Sequence, residues 1–411
     1  MIHSSMFKPR IFPVKGDVAP AEIDRAQSID PTATLNREKV EEIGREGTVG
    51  YLKKSPTIAY RLTQLEYGNI EFWQKLVNTA VKGNIGEDAI TMADFKTPYS
   101  DICAYLTDDD NTFKGTIWYP SLRTSGFSLT IGDPQARIER SFDMVGESAV
   151  IWQGTNKYFI YNKHEVSSGD DNEIDLTAIP PAVDPDNAGV YILRVVRVRS
   201  GISTELTSGT DYTYSNVTKI LTITSITTAD IIKTYYTSAT APADIFTPND
   251  SDVPGLIGDC ASIYLYIPAS GHPASGDYIY RLQNVTIDVA FDREDIREIG
   301  NKNVVARGVR NTTVTVTLGR ILEAFTIEEV LRGEVTDYGK IDVEKLTDSA
   351  ALIVKIFDDN TKTTFKYGFK ATGLSAMELR GGAAINEYVK ADNTLEGEDL
   401  SITSDETVLG I

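Results

Sequence analysis

Leu35-Asn36-Arg37-Glu38-Lys39-Val40-Glu41-Glu42-Ile43-Gly44 returns later in the chain as Phe291-Asp292-Arg293-Glu294-Asp295-Ile296-Arg297-Glu298-Ile299-Gly300. Five of the ten positions are identical, and Val40/Ile296 keeps an apolar side chain in place. The flanking residues follow the same order. The second lead-in, 280–291, alternates apolar and polar residues and reads as a half-buried strand. The first sets Gln27 against Gln283 and Ile29 against Val285, but Pro31 interrupts it. Proline lacks the ladder N–H, which predicts an edge strand or a bend there.

Downstream of each copy a strand is expected, 56–62 and 312–318. Ile58/Val314, Tyr60/Val316 and Leu62/Leu318 fall two apart, the spacing that turns side chains to one face. A short helix follows in both. Ile70, Trp73, Leu76 and Val77 share one helical stripe, as do Ile327, Val330 and Leu331. Thr326 and Glu329 have capping-box spacing. The correspondence resumes at 102–111, which passes through Asp108-Asp109-Asp110-Asn111, and at 353–360, which passes through Asp358-Asp359-Asn360. Both clusters read as hairpin turns, with returning strands at 116–119 and 364–369. Gly126 and Gly373 then lie at comparable distances.

Between the copies the texture changes. A strand at 190–198, a hairpin of 211–214 and 220–223 about Ser215-Asn216, and a strand at 231–236 predict a small inserted β-sandwich or barrel. The strand at 263–267 is assigned to the second unit. The expected organisation is an N-terminal docking arm over 1–22, a first β domain over 23–157, an insert over 158–250 and a second β domain over 251–411. The arm carries the apolar anchors Phe7, Ile11 and Phe12 among prolines and promises little regular structure.

Composition narrows the function. A chain of 411 residues allows two or three domains. A net charge of −19 speaks against a surface that grips duplex nucleic acid, which needs clustered Lys and Arg. Cys103 and Cys260 are the only cysteines, expected as buried free thiols, and the three histidines form no metal triad. No apolar run reaches membrane-spanning length, and the N-terminus lacks the apolar region of a signal peptide. The acidic turns lack the alternating ligand spacing of a calcium loop, and there is no phosphate loop or nucleophile elbow. We expect no enzyme, no cofactor and no metal site.

Arg37-Glu38 and Arg293-Glu294 are adjacent pairs. In extended chain neighbours point to opposite faces, which argues against a catalytic carboxylate with a clamp. A repeated Arg-Glu pattern is better read as one contact made twice between neighbouring subunits, with Glu42, Arg297 and Glu298 beside it.

The run 283–300, the strand 312–318 and the helix after it resemble the major tail tube proteins of tailed bacteriophages. The likeness recurs more weakly at 27–77 and covers about two thirds of the chain. The resemblance implies a mainly β fold: two tandem tail-tube-like β-barrel or sandwich domains, each with a short helix, plus an inserted small β-sandwich resembling an immunoglobulin-like decoration. It further implies homotrimeric rings that imitate hexamers and stack into a tube. Baseplate, tail-terminator and tape-measure proteins would be its partners, and viral DNA would pass without specific contact. Assembly would occur in the host cytoplasm, and the protein would reside in the virion tail. A tube-capping baseplate or terminator component, or an unrelated β-rich adhesin or capsid decoration protein, would present similar strands.

Overall fold

A computed structural model describes residues 7–41, 48, 50–108, 110, 112–154, 157–167, 172–184, 189–242, 255–267, 272–278, 282–296, 298, 306–321, 331, 346, 349–382, 388–397 and 399–410. The fold is mainly β, with few short helices. In the N-terminal half the strands are β1 (Phe7–Pro13), β2 (Ala21–Glu22), β3 (Ala26–Thr34), β4 (Arg37–Val40), β5 (Gly50–Lys53), β6 (Thr57–Leu65), β7 (Ile90–Thr91), β8 (Ser100–Thr107), β9 (Phe113–Ile131), β10 (Glu139–Gly146) and β11 (Val150–Gln153). Helix α1 (Glu71–Val77) lies between β6 and β7.

The inserted segment contributes β12 (Tyr158–Glu165), β13 (Glu173–Asp175), β14 (Ile192–Arg199), β15 (Ile202–Leu206), β16 (Tyr212–Ser215), β17 (Ile220–Ile223) and β18 (Ile231–Ser238). They form two sheets of their own, β12-β18-β14-β15 and β13-β17-β16. Ile174, Val195, Leu221 and Ile232 belong to one buried cluster within them. The C-terminal half runs β19 (Ala261–Ile267), β20 (His272–Tyr278), β21 (Leu282–Ile296), β22 (Ala306–Ile321), β23 (Ala350–Phe357), β24 (Phe365–Gly382), β25 (Lys390–Gly397), β26 (Asp399–Thr403) and the single-turn helix α2 (Glu406–Leu409).

The pairings are antiparallel. In the N-terminal half β2 joins β1, β1 joins β8, β8 joins β9, and β9 takes both β11 and β10; β10 then joins β6, and β6 joins β3. In the C-terminal half β20 joins β19, β19 joins β23, β23 joins β24, and β24 takes both β26 and β25; β25 joins β22, and β22 joins β21. Pairings and chain order coincide. The register agrees as well: Leu62 stands opposite Ile29 and Phe142, as Leu318 stands opposite Val285 and Asn393. A bulge leaves Ser125 of β9 without a partner on β10, and another leaves Met377 of β24 without one on β25.

Period-2 burial explains these strands. In β21, Val285, Ile287, Val289 and Phe291 are buried while Asp288, Ala290 and Asp292 face out. The strands β3-β6-β10-β9-β21-β22-β25-β24 make one continuous layer, joined at its middle by β9 and β21. A single core draws on both halves, from Tyr60, Trp73 and Phe142 to Val316 and Phe369. Trp73 of α1 packs edge-on against Phe127, Phe142 and Phe369. The other face of the layer is polar. Asp143, Asp288, Asp392 and Glu396 stand on it among Thr and Ser, with Arg61.

Residues 7–13 depart from the expected loosely structured arm. They are a strand of the N-terminal half, with Ile11 and Phe12 buried. The prolines are tolerated because of which way they face. Ile23 N–H donates to the Pro9 carbonyl at 3.0 Å, so Pro9 turns its backbone polar groups to the β2 side. In an antiparallel strand alternate residues share a side, so Pro9 and Pro13 both spare the ladder with β8. Pro31, by contrast, sits where its chemistry predicts. Among the described residues β3 pairs with β6 alone, and is an edge. The predicted second helix at 326–331 lies outside the described residues except for buried Leu331.

Candidate assembly interface

The hairpin reading of the acidic turns holds in both halves. Asp108 N–H donates to Thr112 O at 3.0 Å and Asp358 N–H to Thr364 O at 3.1 Å. Lys114 reaches Asp108 at 2.6 Å, and Lys366 reaches Asp358 at 3.5 Å. The Lys114 bond, with backbone N–H groups, lowers the Asp108 pKa to about 2. Asp108 also accepts from the Asp110 and Thr112 N–H groups of its own turn, and in the second turn Asp359 accepts from Thr361 and Lys362 N–H.

The repeated motif leads to a more informative place. Arg37 faces Lys53 across the β4–β5 hairpin, as Arg293 faces Val309 across β21 and β22. Arg37 is exposed. Arg293 instead closes on the N-terminal half of its own chain. Its Nε donates to Thr124 O at 2.6 Å, Nη2 to Phe95 O at 2.8 Å and Nη1 to Lys96 O at 3.1 Å. Burial, with Arg123 and Arg307 nearby, pushes its pKa down to about 10. Glu38 pairs with Lys54 at 2.6 Å, both more than half exposed, a pair that contributes little. Glu294 and Glu298 are exposed. Glu42 and Arg297 lie outside the described residues.

The structure thus separates residues that the sequence had set side by side. Phe291 is buried against Phe95 and Phe127, at 5.7 and 6.3 Å between ring centroids. Leu35, at the same step of the motif, is 63% exposed. Ile402 of β26 pairs with Ile90 of β7 and is fully buried. Ile151 of β11 occupies the matching place beside β9 and is 63% exposed. At β9–β21, Val289 stands opposite Phe127 and both are buried. The contact is close: a Cβ on Gly126 would come within 2.8 Å of Val289 O.

Other polar groups tie the parts together, and no local sequence signal marked them. Arg140 is fully buried, with Nη1 3.2 Å from Glu66 Oε2 and from Asn69 O, and with Tyr67 and Phe72 against its guanidinium. Tyr367 of the C-terminal half donates to the same Glu66 oxygen, and Trp73 Nε1 reaches Tyr367 at 3.4 Å. The insert is fastened to the N-terminal half. Arg194 Nη1 lies 2.8 and 2.9 Å from the two oxygens of buried Asp101, which also accept from Trp118 and Ser121. Phe12, Trp118 and Trp152 share a buried cluster there with Phe159, Val196 and Tyr235 of the insert.

Among the described residues no group of three His, Cys, Asp or Glu side chains is placed to hold a metal, and no helix is long and apolar enough to cross a membrane. Cys103 and Cys260 are free and buried. A cleft of about 310 Å³ between insert and N-terminal half is lined by Arg10 and Glu22, which bond each other at 2.7 Å.

No protein-family model matches the chain, and none of the curated proteins does. Among solved structures, one chain of the "Cryo-EM structure of the anti-feeding prophage (AFP) baseplate, 6-fold symmetrised" aligns with 37% of this chain and 96% of its own length, at 11% identity and a TM-score of 0.27. A likeness at that level carries no argument about function.

Proposed function

We propose that the chain is a ring-building structural protein of a phage-tail-type apparatus and, more finely, a major tail tube protein. The observation that carries this reading is the recurrence of one pairing scheme in two halves joined edge to edge. A module that leaves a strand edge open on each side is suited to closing around an axis. Two modules per chain let three chains present six, giving a homotrimeric, pseudo-hexameric ring.

The first module spans 7–153, so that β1 and β2 join it as β19 and β20 join the second, over 261–410. The insert, about 158–250, decorates the outside, because it docks on the side away from the polar face of the long layer. That polar face lines the lumen. Its Asp143, Asp288, Asp392 and Glu396 repel phosphates, and DNA passes without its sequence being read. Stacking of rings through the β4–β5 hairpin and the outer ends of β21 and β22 completes the tube. Tape-measure, terminator and baseplate proteins are its partners in the virion tail, after assembly in the host cytoplasm. No enzymatic step is part of this role.

A ring that caps a tube, in a baseplate or at a terminator, uses the same geometry and is the alternative. Electron microscopy of the purified chain at rising concentration separates them. Long hollow fibres support the tube, isolated rings the cap. Monomers at every concentration would sink both and leave an adhesin or decoration protein.

A further inference from the structure

We propose that β3, with Leu35 beside it, forms the docking surface for the distal end of β24 in a second copy of this chain, with Arg37 closing on that copy's backbone. The inference deepens the ring-building reading and rests on it. Its occupant is fixed by the joint already inside the molecule. There β21, Phe291, Arg293 and β26 of the C-terminal half are covered by β9, Phe95, Phe127 and β7 of the N-terminal half. The positions that match them on the N-terminal half are the open ones: exposed β3, Leu35, Arg37 and Ile151. At the opposite end of the long layer, residues 378–382 of β24 pair with β25 and, among the described residues, with nothing on their other side.

The internal joint also supplies the register. Val289 faces Phe127 in it. Following the matched pairings, Val289 corresponds to Ala33 through Val314 and Ile58, and Phe127 corresponds to Leu379 through Phe142 and Asn393. Ala33 of one chain therefore faces Leu379 of the next, antiparallel, with Thr32 facing Arg380. Thr124, whose carbonyl takes Arg293, corresponds to Ala376, since both precede the bulge and pair with Met144 and Leu395 respectively. Arg37 donates to the Ala376 carbonyl of the second copy. One position departs from the template. Glu378 stands where Gly126 stands, and a Cβ on Gly126 would lie 2.8 Å from a backbone carbonyl, closer than Cβ atoms come, so the backbone of the seam must shift there. The seam opens slightly at Glu378, and its tight part runs from Leu379 onward.

The test uses the full chain carrying Ala33→Cys and Leu379→Cys, oxidised at assembling concentration and run on a gel without reductant. Facing residues in antiparallel strands are close enough for a disulfide. A second chain, Ala33→Cys with Arg380→Cys, is slipped by one residue and points its thiols to opposite faces. Covalent oligomers are expected from the first and at least tenfold fewer from the second. Arg37→Glu should lower association about tenfold with an unchanged melting temperature of the monomer. Assembled material without cross-links, or equal cross-linking by both pairs, overturns the seam. Cross-linked rings that never lengthen leave the seam standing and remove the tube. Hollow fibres without cross-links do the reverse, and a chain that stays monomeric throughout removes both.

Discussion

Phe291 and Leu35 occupy the same step of one repeated motif, yet one is buried and the other 63% exposed. Ile402 and Ile151 differ in the same sense, and so do Arg293 and Arg37. The register on either side of each residue agrees, although Leu35 falls in the break between β3 and β4 whereas Phe291 is paired with Thr312 inside β21. The difference lies in the neighbour. On the C-terminal half this side is covered by the N-terminal half, and on the N-terminal half it faces solvent. Within one polypeptide the covered copy therefore describes what the open copy lacks.

The tie most able to break the comparison is the buried Arg140–Glu66 ion pair of the N-terminal half, which Tyr367 of the C-terminal half joins. Arg140 has Ala391 as its counterpart on β25, and Arg320 of β22 stands where β6 carries Gln64, so each half holds its buried guanidinium on a different strand. Arg140→Ala would strand the Glu66 carboxylate among apolar groups. We expect a loss of about 3–5 kcal/mol in urea unfolding. A loss below about 1 kcal/mol would mean that Tyr367 and backbone N–H groups alone satisfy Glu66.

The next largest effect sharpens the comparison directly. Phe291→Ala removes a buried ring and should cost about 3 kcal/mol of monomer stability. Leu35→Ala should stay within about 0.5 kcal/mol in the monomer, since the side chain is exposed there. The same Leu35→Ala change should weaken self-association, read by sedimentation velocity at matched concentrations. Equal monomer costs for the two substitutions would show that exposure of Leu35 is not the relevant difference.

Much of the fold was legible because it rests on short-range pattern. The alternation of Val285, Ile287, Val289 and Phe291, the α1 stripe around Trp73, and the Asp108 and Asp358 turns needed only neighbours within a few residues. Pro31 signalled an edge for the same local reason. The prolines of β1 misled because proline bars one side of a strand, and sequence does not say which side carries the ladder. Distance along the chain sets Gly126 against Gly373. Pairing instead sets Gly126 against Glu378, because the bulges at Ser125 and Met377 fix the register. The Arg293 clasp was invisible, since its acceptors are carbonyls, which every residue carries. Asp101–Arg194 and Glu66–Arg140 are separated by dozens of residues and show no local mark.

The insert supplies a third term for the comparison, because among the described residues its buried cluster and ion pairs fasten it to the N-terminal half. Lys233 of β18 is fully buried and its Nζ donates to Pro13 O at 3.0 Å, across the boundary between insert and β1. Burial is the main cause that pulls its pKa down to about 8, opposed by Asp17 and reinforced by Lys163 and Lys75. A base whose folded pKa lies below its unfolded value binds fewer protons when folded. The resulting cost is complete below pH 8 and is relieved as pH rises from 8 toward the unfolded value near 10.5. The wild-type chain should therefore gain on a Lys233→Met variant by on the order of 2 kcal/mol between about pH 7 and about pH 10. The measurement is the difference in unfolding free energy between the two chains at each pH, which cancels groups common to both. A difference that stays flat over that range would mean that water reaches Lys233, and that the insert sits less tightly on β1 than its buried aromatic cluster requires.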